Sequence, residues 1–171
     1  MVCEFADRKV YEDLSPQSAT VRKQAVQIEI EAPAPLAFDV IHDYQRRLEW
    51  DSLLSVAKVL PPDELPGVGV CTRCVGKWTS CWMVMDTRYV TFERGRVASV
   101  TLVNRSWLFA SFHATIRHET LAPSRSRVIY IYSFACRPQT LAWAWEPIVD
   151  FLLNRETQRR LHSLRDYVQR V

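Results

Sequence analysis

The sequence predicts an α+β domain in which one antiparallel sheet carries its helices on one side, and three observations support that expectation. From about Gln24 to Arg137 the chain is a series of short runs rich in Val, Ile, Thr, Phe and Tyr, broken once by a helical stretch. The links between later runs are short, which favours hairpins over crossovers. One long helical pattern, from Thr140 to Val171, closes the chain.

Composition narrows the class. A chain of 171 residues, 48% hydrophobic, is large enough to bury about two thirds of its unfolded surface in a single core, so one domain suffices. The net charge of +3 arises from 22 basic and 19 acidic residues with no dense Lys/Arg block, which argues against a nucleic-acid partner. No run of about 18 apolar residues and no leader-like N-terminus is present, so the default location is cytoplasmic. The five cysteines, at positions 3, 71, 74, 81 and 136, are then expected to be reduced. Cys71 and Cys74 form a C-x-x-C pair, but within a strand a separation of three sends them to opposite faces. No second pair completes four ligands, so no metal is expected.

Taken in order, residues 1–23 read as a polar arm, after which Val26, Ile28 and Ile30 alternate with Gln27, Glu29 and Glu31 as a half-buried strand. Pro33 and Pro35 end that strand, and a short helix follows from Ala34 to Tyr44. A second short helix is expected within Asp43–Asp51, closed by Trp50-Asp51. Strands are expected over Leu53–Leu60, Val70–Gly76, Ser80–Phe92, Val97–Val103, Leu108–Thr120 and Arg127–Cys136. The turns between them are marked by Pro61-Pro62, Gly67-Val68-Gly69, Glu93-Arg94-Gly95, Asn104-Arg105-Ser106 and Ala122-Pro123-Ser124. In the last helix, Leu141, Trp145, Val149, Leu153, Leu161, Leu164 and Val168 recur at spacings near three and four, so one side should lie on the sheet. The other side carries Asn154, Arg155, Gln158, Arg159, Arg165 and Asp166.

With that order in hand the chain resembles the START-like, or Bet v 1-like, superfamily (SRPBCC), and within it the polyketide cyclase/dehydrase and lipid-transport group. The likeness rests on Val26 to Pro33 followed by Leu36 to Tyr44, on Trp50-Asp51, on Pro66-Gly67-Val68-Gly69, on Phe92 to Ala98 and on Leu152 to Val171. It covers about residues 24–171. What it implies is a helix-grip: a curved antiparallel sheet of about seven strands around the C-terminal helix, with two short helices after the first strand and an apolar cavity between. The superfamily includes carriers, cyclases and plant hormone receptors, so the resemblance implies a hydrophobic small molecule or lipid as ligand and leaves the activity open.

Candidate ligand contacts are Trp82, Phe112, Tyr130, Tyr132, Phe134, Trp145, Val149, Leu153 and Leu161, with Trp78, Met83, Met85 and Trp143 as further apolar material. Tyr130 and Tyr132 are expected to look inward, where a phenol in a dry site can orient a carbonyl or act as a general acid. If the chain is an enzyme, of the cyclase, aromatase or dehydratase kind, Tyr130, Tyr132, Arg73 and His42 are the proton-transfer candidates, His42 as a base beside Asp43. Arg73, Asp86 and Arg88 read first as solvent-facing, with an inward Arg–Asp anchor as the lesser alternative. His113 and His118, five apart, should face opposite ways. Leu141 to Pro147 is the candidate gate, with Trp143 and Trp145 over the entrance, and the arginines of the last helix allow transient membrane contact. A hydrophobic-ligand binder without cofactor is the leading expectation, a cyclase-type enzyme the alternative, and a protein-interaction module with a vestigial cavity the third.

Overall fold

The computed structural model describes residues 22–62, 65–77 and 83–171. Strands β1 (Arg22–Ile30), β2 (Leu54–Val59), β3 (Cys71–Gly76), β4 (Val84–Glu93), β5 (Val97–Leu102), β6 (Phe109–Ala122) and β7 (Arg125–Cys136) form one antiparallel sheet in the order β1-β7-β6-β5-β4-β3-β2. The chain runs along the sheet from β2 to β7 by neighbouring hairpins, and β1 closes the far edge against β7. Helices α1 (Ala34–His42) and α2 (Arg47–Trp50) follow β1, and a single 3-10 turn at Gln139–Leu141 leads into α3 (Ala142–Val168). This is the α+β helix-grip expected from the sequence. Most of the expected arm, up to residue 21, lies outside the described residues, as do Trp78 and Trp82.

Directly paired residues on antiparallel strands share a face, so the register identifies the concave side. Val26 pairs with Tyr130, Tyr130 with Ile116, Ile116 with Ala98, Val100 with Tyr89, and Thr87 with Thr72. This face meets the helices, because Tyr132 reaches Asp150 of α3 and Thr72 reaches Tyr44. In α1 the buried residues Ala34, Ala37, Phe38, Ile41 and His42 fall at the positions of one helical stripe. The helix starts with proline in its first turn, where no donor is lost. Gly95, at φ +77°, lets the β4–β5 turn approach the start of α1, where a Cβ would stand 3.4 Å from Pro35 Cγ.

The buried seam of α3 is Val149, Thr157, Leu161, Leu164 and Val168, with Leu153 half-buried. The expected apolar side therefore holds from Val149 onward and fails before it, since Leu141 and Trp145 are about half exposed. Leu141 belongs to the 3-10 turn, so the helical period does not include it. Each step of four also turns a helix position by about 40°, which carries Trp145 away from the seam centred further along. Ile148, Phe151 and Leu152 lie outward as well. Leu164 is fully buried in the main core, and Leu164→Ala is expected to cost about 2–5 kcal/mol of unfolding free energy in a urea titration. A loss under about 1 kcal/mol would mean that α3 is not pinned to the sheet at this point.

Candidate functional site

Two polar groups hang into an otherwise apolar concavity, and the short helices deliver both. The first begins at the end of α1. His42 is buried and its Nδ1 lies 2.7 Å from the Tyr89 hydroxyl. Tyr89 is 3.1 Å from the Tyr44 hydroxyl, Tyr44 donates to Thr72 Oγ1 at 3.2 Å, and Thr72 and Thr87 share a 3.0 Å bond. Each phenol has one proton. With Tyr44 donating to Thr72, Tyr89 donates to Tyr44 and His42 Nδ1–H donates to Tyr89. His42 Nε2 is left as a buried lone pair with no partner among the described residues.

Burial, with the Arg47 charge next in size, holds His42 well below the usual histidine range, so it is neutral at pH 7. Burial likewise raises the phenols of Tyr44 and Tyr89. The cluster is walled by rings. Phe92 stands edge-on to both His42 and Tyr89, and Phe38 lies 4.3 Å from His42 and 5.2 Å from His118, centroid to centroid. His118 is buried on the inward face, and neither of its ring nitrogens has a partner among the described residues. Its burial lowers its pKa to about 4. His113 is exposed on the other face.

The second group centres on Asp51, fully buried just after α2. Its Oδ2 accepts from Arg47 Nε at 3.1 Å and from Arg160 of α3, with Nε at 3.1 Å and Nη2 at 2.9 Å. Arg47 also donates to the Ile41 carbonyl and stacks on Trp50 at 4.6 Å. Burial alone would raise the Asp51 carboxyl, but the Arg160 and Arg47 charges together outweigh it and hold the group below its ordinary range. Arg160 lies 6.0 Å from the Tyr130 ring of β7 and within electrostatic reach of Cys74 of β3. It therefore spans the concavity from one limb of the sheet to the other. Outside this group, Arg46 and Glu49 both hydrogen-bond the Tyr167 hydroxyl near the end of α3.

Of the expected contacts, Phe112, Tyr130, Tyr132 and Phe134 lie on the concave face, and Val149, Leu153 and Leu161 face it from α3. Tyr132 donates to Asp150 at 3.5 Å, and burial with the Asp150 charge pushes its phenol up to about 12. Trp82 is outside the described residues. Trp143 is 78% exposed and Trp145 49% exposed. Arg73 pairs in register with Asp86, next to the inward Thr72–Thr87 pair, so both side chains take the outer face, where they form a bidentate pair at 2.7 Å. Arg73 is thereby placed away from the concavity. His42 does face inward, yet its partner is Tyr89 and not Asp43, whose Oδ1 accepts the Gln45 and Arg46 amides. Cys71 and Cys74 lie on opposite faces, and Cys74 is the inward one.

Sequence reasoning missed Tyr89, Tyr44, Thr72, Arg47, Asp51 and Arg160 as interior polar groups. Only one signal was available. Arg47 and Asp51 are four apart across a short helix, a spacing at which opposite charges meet. Near the start of α3, Trp107, Ala110, Arg137, Pro138 and Thr140 line a separate cleft of about 660 Å³.

Comparison with known folds agrees with this architecture. The chain is similar to the Zhui aromatase/cyclase from a Streptomyces species, with 16% identity over 88% of this chain and 94% of that one, and a TM-score of 0.72. It is similar to a START superfamily protein from Mycobacterium smegmatis, at 13% identity, 86% and 97% coverage and a TM-score of 0.72. A Thermus thermophilus protein matches at 11% identity, with the same coverages and a TM-score of 0.73. No curated protein sequence matches the chain. At these identities the likenesses establish the fold alone. The sequence itself fits one family model, described as polyketide cyclase / dehydrase and lipid transport, from residue 21 to residue 169. That match takes in every strand and helix described above, and by it the chain belongs to the polyketide cyclase / dehydrase and lipid transport family.

Proposed function

We propose that this protein binds a hydrophobic small molecule or lipid between the sheet and α3, as a carrier or sensor. The observation that carries this reading is the state of the concave face. Met85, Val100, Leu102, Ile116 and Tyr130 point inward on four adjacent strands, yet each keeps part of its surface accessible. A close-packed core leaves its central side chains almost none. Apolar surface kept accessible beneath a helix is surface that a ligand can cover. Burying about 300 Å² of ligand at about 25 cal/mol/Å² supplies several kcal/mol before the entropic cost of association. The family description, which includes lipid transport, supports the same reading.

The test is equilibrium uptake of an anilinonaphthalene sulfonate probe, with Ile116→Trp to fill the hollow. Wild type is expected to take up the probe with an apolar emission shift. The variant, checked for an unchanged fold by circular dichroism, is expected to bind it at least about tenfold more weakly, since one large buried side chain is worth several kcal/mol. Equal uptake by both proteins, or none by wild type, would overturn the reading.

One observation favours a cyclase or dehydratase as the second reading. His42 is neutral, buried and hydrogen-bonded through Nδ1, with Nε2 free among the described residues to take a proton α to a carbonyl. Tyr89 would then support the imidazolium that forms. On that reading Tyr89→Phe abolishes turnover of a poly-β-ketone while ligand uptake persists. On the binder reading the same substitution changes uptake little and there is no turnover to lose.

A further inference from the structure

We infer that the ligand is an amphipathic anion whose charged head sits against Arg160, with its apolar body over Tyr130, Ile116 and Val100. The inference rests on the binding reading above and gives that ligand a chemical class. Its basis is a charge imbalance inside the fold. Arg47 and Arg160 both direct their ion pairs to Asp51, and both use the same oxygen, Oδ2. Among the described residues no other carboxylate pairs with either guanidinium. Two cations against one carboxylate leave one positive charge uncompensated, in a place where Asp51 is fully buried and the Arg47 side chain nearly so. A buried net charge is costly unless something of opposite sign pairs with it.

The nearby groups do not supply that sign. Burial, the largest influence on Cys74, raises its thiol and keeps it neutral at pH 7. Tyr130 offers only the face of its ring. Glu49 is committed outward to Arg46 and Tyr167. Asp86 is held by Arg73 on the other side of the sheet.

Hydrogen bonding in this corner is also incomplete. Asp51 Oδ1 and Trp50 Nε1 are buried without partners among the described residues, an acceptor and a donor beside the guanidiniums. The acceptor calls for a hydroxyl or a water, and the charge balance calls for an anion. Arg160 is the reachable member. Its side chain is 23% exposed, and it stands next to Tyr130 at the part-accessible centre of the concave face. A carboxylate is the simplest head that meets a guanidinium with two parallel bonds.

The experiment compares decanoate with 1-decanol, which share a tail and differ in charge, by displacement of a bound fluorescent probe at pH 7.5. Decanoate is expected to bind about ten- to a hundredfold tighter than decanol, the range that a charge-assisted hydrogen bond provides. In Arg160→Gln, which leaves Arg47 and Asp51 as a neutral pair, the preference is expected to vanish through the loss of decanoate affinity. Equal affinity of wild type for both probes overturns the anionic head and leaves the hydrophobic binder standing. Binding of neither overturns both readings and makes the triad a structural latch. A preference that survives in Arg160→Gln places the anion seat elsewhere and overturns the assignment.

Discussion

Replacing Asp51 by leucine is expected to lower the unfolding free energy by about 3–5 kcal/mol at pH 7, among the largest losses available to a single substitution in this chain. Among the described residues this carboxylate is the only counter-ion of the two guanidiniums, and it joins α2 to α3 through a single oxygen. Without it Arg47 and Arg160 face each other as like charges in a buried place. Urea titration of wild type and Asp51→Leu measures the loss. Arg160→Gln, which removes one charge and leaves a neutral pair, is expected to cost much less. The triple change Arg47→Met, Asp51→Leu and Arg160→Met should recover most of the stability, because apolar side chains of similar volume replace a buried ionic group with little or no penalty. A single-variant loss below about 1 kcal/mol would show that the arginines reach water readily, and the cluster would then count as a surface ion pair.

The second large effect is acid sensitivity, through His42 at the end of α1 and His118 of β6, which packs against that helix. His118 has its pKa lowered to about 4 by burial, and His42 lies well below its ordinary value for the same leading reason. In the unfolded chain each titrates near 6.5. Between these values the unfolded state binds more protons than the native one, so stability falls as pH drops from about 6.5 towards 4. Below the folded pKa the native state takes up the proton as well, and the loss levels off. For His118 alone the loss approaches about 3 kcal/mol at pH 4, at 1.36 kcal/mol for each pKa unit, and His42 adds to it. The ion-paired carboxylates of Glu29, Glu49 and Asp51, each held below its ordinary range, act in the same direction as they take up protons, so a variant isolates the histidine share. His118→Phe keeps a ring against Phe38 and sacrifices no hydrogen bond. It is expected to be close to wild type at pH 7 and to lose visibly less stability between pH 6.5 and 4.5. Identical pH profiles for the two proteins would mean that His118 is hydrated in the native state.

Much of the frame was legible in the chain itself. Val26, Ile28 and Ile30 alternate because one face of β1 meets α3 and the other meets solvent, where Glu29 pairs with Arg125 and Arg127. A period of two records that division directly. Pro33 and Pro35 mark the start of α1, and the turn residues separate the strands close to their observed ends. The burial of Thr157 and the exposure of Trp145 were less legible. Composition suggested the reverse, but helix rotation over steps of four decides which residue reaches the sheet.

The order of elements, the antiparallel pairing and the helix laid over the sheet were all legible in the chain, because they follow from local periodicity and turn chemistry, which are properties of neighbouring residues. The family is legible there too, through the match of residues 21–169 to its model. The interior chemistry arises from the three-dimensional arrangement alone. Arg47 and Arg160 are 113 positions apart, and His42 and Tyr89 are 47 apart. No local pattern links such pairs, because they meet only when the sheet curls and two short helices turn their polar ends beneath the long one. The pleat of β3 sends Arg73 outward and Thr72 inward from adjacent positions, and the curl of the sheet leaves side chains at the centre of the concave face partly accessible.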